Sequence, residues 1–190
     1  MYQDKYIFLI VAPSGSGKDT VVNKLCDDYG FTKVKSYTTR KPRQDDKNDI
    51  RNHTFVSMEE FRKIPTTKQV VVARYFDKNY YCGTQDQVEN NDFYIIDVES
   101  IEPFKQNYKG NKKVKVFGIE CMNYDRYDRM VARGDSNEKI KQRMTNDSLA
   151  FRNWKDYIDI CFLNDEGRLE DCCKAMKEYI DYLIKYESEE

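Results

Sequence analysis

The sequence carries a single histidine and no two cysteines in CxxC spacing. Its six cysteines (Cys26, Cys82, Cys121, Cys161, Cys172 and Cys173) therefore lack the partners of a zinc site. No apolar run approaches the ~20 residues of a membrane span, so no membrane partner is expected. Charge bias is missing too: 32 Lys and Arg stand against 33 Asp and Glu, a formal net charge of −1. Without a broad basic field, no nucleic-acid partner is expected. The apolar stretch from Tyr6 to Ala12 is too short for a secretory leader and runs straight into a glycine loop. No internal repeat or low-complexity linker divides the chain. These absences point to a cytoplasmic globular protein with reduced, buried thiols. Its 190 residues suit one domain with an insert, and leave monomer and homodimer both open.

What is present alternates. Tyr6 to Val11 is a continuous apolar run, the pattern of a strand buried on both faces. Lys18 to Asp28 sets Val21, Val22, Leu25 and Cys26 on one helical stripe. Further buried strands are expected at Phe93 to Ile96, Val114 to Phe117 and Ile158 to Phe162. Helices are expected from Glu138 to about Asn153 and along Leu169, Cys172, Cys173, Met176, Ile180 and Leu183. Such alternation predicts an α/β three-layer fold with a mostly parallel central sheet. The core would take residues 1–35 and 92–190. Residues from about 36 to 91 differ, with short β-like pieces (His53 to Val56, Val70 to Tyr75) and two capping-box helix starts, Ser57 with Glu60 and Thr84 with Gln87. They predict a small α+β insert. The charged stretch 123–137, holding Arg126, Arg129, Arg133 and Gly134, predicts a second, smaller flap.

Ala12-Pro13-Ser14-Gly15-Ser16-Gly17-Lys18-Asp19-Thr20 follows the first strand and opens the first helix. Glycines let backbone N–H groups wrap phosphates, the helix N-terminus adds positive potential, and the lysine reaches the β/γ oxygens. Ser14, Gly15, Ser16, Gly17, Lys18, Asp19 and Thr20 are thus the candidate ATP-binding residues of a P-loop. Asp19 stands where Ser or Thr usually contacts Mg²⁺. Either its hard carboxylate serves the ion, directly or through water, or Thr20 does.

Ser36-Tyr37-Thr38-Thr39-Arg40-Lys41-Pro42-Arg43 sets two arginines three apart beside hydroxyls, a clamp for a phosphate dianion. With the loop, this segment resembles the guanylate kinase family, P-loop nucleoside monophosphate kinases. The resemblance continues through Phe55-Val56-Ser57 with Glu60-Phe61, Tyr80-Tyr81 with Gly83-Thr84, Ile96-Asp97-Val98-Glu99, Arg133-Gly134, Arg143 and Asn164-Asp165. It implies that the γ-phosphoryl group of ATP passes to GMP or dGMP with Mg²⁺ as cofactor, the insert binding the monophosphate and the 123–137 flap acting as a lid. It further implies that Ser36, Arg40, Arg43, His53, Tyr81, Thr84 and Glu99 hold the acceptor. Asp97, with Asp19 or Thr20, would serve the metal, and Asn164 would touch adenine. Lys18, Arg133 and Arg143 would carry catalysis, neutralising the migrating group.

The chain departs from that pattern on the base-recognition side. His53 stands near a family tyrosine, where protonation would tighten acceptor binding as pH falls. The family's base-reading glutamate belongs near Ala73-Arg74, where there is no acid; Asp77 is the nearest. Cys82 is inserted before Gly83. These changes predict looser guanine selection, with a margin of ~10²-fold rather than that of a fully hydrogen-bonded site. Three rival readings remain: another (deoxy)nucleoside monophosphate kinase, a ribose bisphosphate kinase of the same superfamily, whose loop also carries Gly-Lys-Asp, and a catalytically dead guanylate-kinase-like binding module.

Overall fold

The 3.6-residue and two-residue periods of the sequence fold into alternating helices and strands in a computed structural model that describes residues 5–42 and 49–186. The described residues divide into two compact units. One lies within Met1–Ile7, Phe31–Tyr94 and Glu99–Val114, the other within Phe8–Gly30, Ile95–Val98 and Lys115–Glu190. The expected insert, 36–91, falls within the first unit. The fold is α/β. Its central sheet has the order β6-β1-β7-β8, made by β1 (Tyr6–Val11), β6 (Phe93–Ile95), β7 (Lys113–Glu120) and β8 (Ile160–Leu163). All six residues of β1 are buried, as its unbroken apolar run predicts.

In the second unit, β7 and β8 run parallel from Phe117↔Ile160 to Glu120↔Leu163. Phe8, Phe117 and Phe162 form a chain of ring contacts at 4.9 and 5.4 Å, capped by Tyr179 from α8 (Leu169–Tyr186). Helix α8 buries Cys172, Cys173, Met176, Ile180 and Leu183, the stripe its spacing predicts. It packs on α1 (Lys18–Tyr29), where Lys24 joins Glu170 at 2.8 Å. Each such apolar side chain contributes roughly 1.5–3 kcal/mol on full burial.

Two of the boundaries that differ from the sequence expectation have a visible physical cause. Strand β8 begins at Ile160 rather than Ile158, because Asp159 spends its backbone N–H on the Val116 carbonyl and its carboxylate on the Val116 N–H. That double bond caps the ladder. The helix expected to reach Asn153 is α7 (Asn137–Ala150). It stops short so that a 3₁₀ turn, Trp154–Tyr157, can bury Trp154. Room for that indole comes from Gly118, where a Cβ would lie 2.7 Å from the ring.

The first unit contains a sheet ordered β3-β2-β5-β4. Strands β2 (Ser36–Thr38) and β3 (His53–Phe55) are parallel; β4 (Val70–Phe76) and β5 (Asn79–Thr84) form an antiparallel hairpin. The turn, Asp77-Lys78, has φ of 47° and 61°, the left-handed pair that a two-residue type I′ turn needs. Helix α3 (Met58–Thr67) carries the expected capping box: Ser57 Oγ accepts from Glu60 N, and Glu60 accepts from Ser57 N. At α4 (Gln85–Glu89), Gln87 Oε1 accepts from both the backbone N–H and the hydroxyl of Thr84. Helices α2 (Asp49–Asn52) and α5 (Ile101–Asn107) complete the unit; Asn107 on α5 donates to the Val71 carbonyl of β4. Among the described residues, no helix is long and apolar enough to cross a membrane.

Candidate functional site

The candidate residues fall into two groups, one on each unit. The first surrounds the loop between β1 and α1. Gly15 and Gly17 have φ of 79° and 82°, a conformation that L side chains rarely adopt. Space enforces the same choice: a Cβ on Gly15 would lie 2.5 Å from the Arg126 carbonyl, and one on Gly17 2.6 Å from Asn164 Nδ2. The loop's polar backbone is held from outside. Arg126, on α6 (Asn123–Ala132), donates through Nε to the Ser14 carbonyl at 2.8 Å. Asp147, on α7, accepts from the Ser14 N–H at 2.8 Å and hydroxyl at 3.3 Å, and pairs with Arg126. Asn164, just past β8, donates to the Ser16 carbonyl at 2.7 Å. Arg129 donates to the same carbonyl at 3.4 Å.

Lys18 is the first residue of α1, and its Nζ lies 3.4 Å from Asp19 Oδ2. Thr20 is exposed. Asp97 is exposed one residue beyond Ile96, whose N–H donates to the Ile10 carbonyl near the end of β1. Asn164 is buried; one amide N–H goes to the Ser16 carbonyl, and its Oδ1 has no hydrogen-bond partner among the described residues.

Arg133 caps the C-terminus of α6, where Gly134 N donates to Val131 O and Asp135 N to Met130 O. This is the Schellman pattern that a Gly after a helix supports. Asp135 gathers the cations of this region. Burial alone would push its carboxyl up. The hydrogen bond from Arg133, with the charges of Arg133, Arg143 and Lys139, holds it below its ordinary value instead. Arg133 thus pairs with an acid that the sequence reading did not single out, and Arg143 adds its charge there.

The second group lies on the β3-β2-β5-β4 sheet. Ser36 opens β2, opposite His53. Arg40 follows β2 and forms a two-pronged pair with Asp49, Nη1–Oδ2 at 2.9 Å and Nη2–Oδ1 at 2.5 Å. Asp49 is 3% exposed. Its hydrogen bond, against the cost of burial, pushes the Arg40 guanidinium further up, with smaller help from Tyr81. Arg40 also stacks over Phe55 at 5.3 Å. His53 makes edge contact with Tyr81, ring centroids 5.8 Å apart. Thr84 is fully buried with its hydroxyl bonded to Gln87. Glu99, in the 3₁₀ turn Val98–Ser100, pairs with Arg74 of β4 at 2.6 Å. Asp77 sits at the hairpin tip, where its carbonyl accepts from Asn79. Arg43, the second arm of the expected clamp, lies outside the described residues.

Sequence reading missed Asp147, Asp49 and Asp135. Asp147 follows Arg143 by one helical turn, a spacing that could have flagged it; Asp49 and Asp135 sit in charged stretches without a pattern. Cys121, Asp125 and Asp165 approach one another within 4.8 Å. Asp165 is engaged by Met122 N and Asp125 by Glu166 N, bonds that pin adjoining loops.

Comparison with known proteins follows the same lines. Residues 4–183 match the family model described as Guanylate kinase. The guanylate kinase of Campylobacter jejuni (strain RM1221) is 32% identical over 172 residues, covering 85% of this chain and 82% of that protein. That of Porphyromonas gingivalis (strain ATCC BAA-308 / W83) is 29% identical over 188 residues, covering 94% and 97%. Among solved structures, guanylate kinase from Anaplasma phagocytophilum superposes with a TM-score of 0.63 at 17% identity, over 94% of this chain and 86% of that one. At that identity the likeness speaks for the fold.

Proposed function

Because the chain belongs to the guanylate kinase family, we propose that it transfers the γ-phosphoryl group of ATP to GMP or dGMP, giving ADP and the nucleoside diphosphate. The observation that carries this reading is the braced loop: Gly15 and Gly17 are left-handed, Lys18 opens the helix, and Arg126, Asp147 and Asn164 fix the loop's backbone. A scaffold that only bound a protein partner would have no use for it.

Phosphoryl transfer asks little covalent chemistry of the protein. A phosphate monoester has its second pKa near ~6, so the acceptor oxygen is already ionised at neutral pH and needs no general base. The work is alignment, charge neutralisation and exclusion of water. The loop amides and Lys18 hold the β/γ-phosphates. Arg40, with Tyr81 beside it, receives the acceptor phosphate, joined by Arg43, Ser36 and His53. Arg133 and Arg143, relayed from Asp135, meet the charge that develops on the equatorial oxygens, and the 123–137 segment acts as lid. Asp19 and Asp97 offer hard carboxylate oxygens of the kind Mg²⁺ selects, and Thr20 offers a hydroxyl. When bound, Mg²⁺ neutralises charge on the β/γ oxygens. The reaction suits a cytoplasmic setting, where thiols stay reduced.

The test is ATP-dependent transfer to GMP, dGMP, AMP, CMP, dTMP and ribose 1,5-bisphosphate. Preference for GMP or dGMP is expected. A pyrimidine or the sugar bisphosphate as best acceptor would replace this reading, and no transfer to any of them would leave a binding module.

A further inference from the structure

The acceptor half carries a cation where its family relatives are expected to place a base-reading acid. Arg74 and Tyr81 are directly paired in the β4–β5 ladder, so their side chains leave the same face of the sheet. Tyr81 acts on Arg40, the phosphate arm. Arg74 Nη2 meets Glu99 Oε2 at 2.6 Å. A single surface of this unit therefore runs from Arg40 through Tyr81 to the Arg74–Glu99 pair. Both partners of that pair are partly exposed, 36% and 60%, so stability gains little from it.

Guanine presents O6 and N7 as acceptors on one edge and N1–H and N2–H₂ as donors on the next. A guanidinium is a planar fork of donors and a carboxylate is acceptor-only, so an Arg–Glu pair in one plane matches those two edges in order. Adenine reverses the match, turning its N6–H₂ toward the arginine and its N1 lone pair toward the glutamate. We propose that Arg74 is a specificity-determining residue that donates to guanine O6 and N7, while Glu99 holds it in plane and accepts from N1–H and N2–H₂. This rests on GMP or dGMP being the acceptor. The missing glutamate near Ala73-Arg74 is then a change in how guanine is read, by donors on one edge and acceptors on the other.

The experiment measures kcat/KM for GMP, 7-deaza-GMP (no N7), the 2-aminopurine nucleotide (no O6, no N1–H), IMP (no N2 amine) and AMP. It uses the parent, Arg74→Met and Glu99→Gln. Arg74→Met is expected to lower kcat/KM for GMP by roughly 10- to 100-fold, through the acceptor KM, with the ATP KM unchanged. That loss should be smaller on 7-deaza-GMP and on the 2-aminopurine nucleotide, each of which lacks one of the two atoms that Arg74 reads. Glu99→Gln should narrow the preference for GMP over IMP. An Arg74→Met enzyme that loses GMP and the 2-aminopurine nucleotide equally overturns the proposal. If Arg74→Met does not fold, the parent decides alone, since equal use of GMP, 7-deaza-GMP and the 2-aminopurine nucleotide overturns it. A parent that turns over no GMP or dGMP removes the functional reading and this proposal together, whereas GMP turnover with unchanged ratios removes only the proposal.

Discussion

The carboxylate of Asp147 accepts the backbone N–H of Ser14 at 2.8 Å from 133 residues away. The same carboxylate holds the buried Arg126, which donates to the Ser14 carbonyl. Ser14 is thus gripped at both its N–H and its C=O by one ion pair. Asp147→Ala should remove the grip and strand a buried guanidinium, costing on the order of 3–5 kcal/mol of stability. Asp147→Asn keeps the volume and a hydrogen-bonding side chain. It should fold with a smaller loss and raise the ATP KM by roughly 10-fold, a charge-assisted bond being worth ~1.5–3 kcal/mol. Thermal melts and ATP titrations of both variants test this; an unaltered ATP KM in Asp147→Asn would take Asp147 out of loop positioning.

Arg40 serves two partners, and they can be separated. Its pairing with the 3%-exposed Asp49 is structural, while its proposed hold on the acceptor phosphate is functional. Arg40→Ala should therefore lower the melting temperature, by leaving the Asp49 carboxylate buried and unpaired. It should also raise the acceptor KM, by the ~1.5–3 kcal/mol of one charge-assisted contact. Adding Asp49→Asn to Arg40→Ala should restore much of the stability and none of the acceptor affinity. If the second change restores both, Arg40 acts only by holding the fold.

How far the sequence reaches depends on whether a signal is local. Tyr6–Val11 and the loop after it are legible because burial on two faces, left-handed glycines and a helix start all fall within fifteen residues of one another. The capping box at Ser57 and Glu60 is legible for the same reason. Strands β2 and β5 are not. Ser36–Thr38 is too short to show a period, and Asn79–Thr84 is a strand because Tyr37, Thr38 and the β4 hairpin pair with it. The site divides likewise. Lys18, Arg40, Arg133 and Arg143 stand in recognisable surroundings. The acids behind them, Asp49 against Arg40, Asp135 against Arg133 and Asp147 against the loop-bracing Arg126, become visible only when the chain folds. Arg74 shows the limit of resemblance: it marks a missing glutamate in sequence, and only its contact with Glu99 says what stands there instead.

Lys18 and Arg133 should differ in what their loss costs. Lys18 holds the donor phosphates before and during transfer, so Lys18→Ala should nearly abolish turnover and weaken ATP binding, with the melting temperature unchanged because the residue is a partly exposed loop–helix lysine. Arg133 meets charge that develops only in transit. Arg133→Ala should lower kcat by ~10³-fold with both KM values little altered. Steady-state kinetics with each substrate varied distinguish the two patterns; a raised ATP KM with unchanged kcat in Arg133→Ala would assign that arginine to ground-state binding.

The thiols give the protein an alkaline limit. Burial pushes Cys172 up to about 12, and Cys82, Cys161 and Cys173 up to about 11. An unfolded chain releases its thiol protons near ~8.5. Below that pH both states hold these protons, and the stability they represent is fully present. Above it the unfolded chain gives them up while the folded chain keeps them, so stability falls as pH rises toward 11 to 12. Each retained proton contributes a decline of about 1.4 kcal/mol per pH unit in that window. Tyr108, pushed up by burial and by its hydrogen bond to Glu89, adds to the decline with the same sign. The four thiols should therefore react slowly with a disulfide reagent at pH 8 in the native protein and rapidly once it is denatured. Cys172→Val removes one titrating group at nearly constant volume. Its melting temperature should fall less steeply than the parent's as pH rises above ~8.5 toward about 12, the window set by the Cys172 shift. Parallel curves would mean that Cys172 keeps no proton on folding that the unfolded chain gives up.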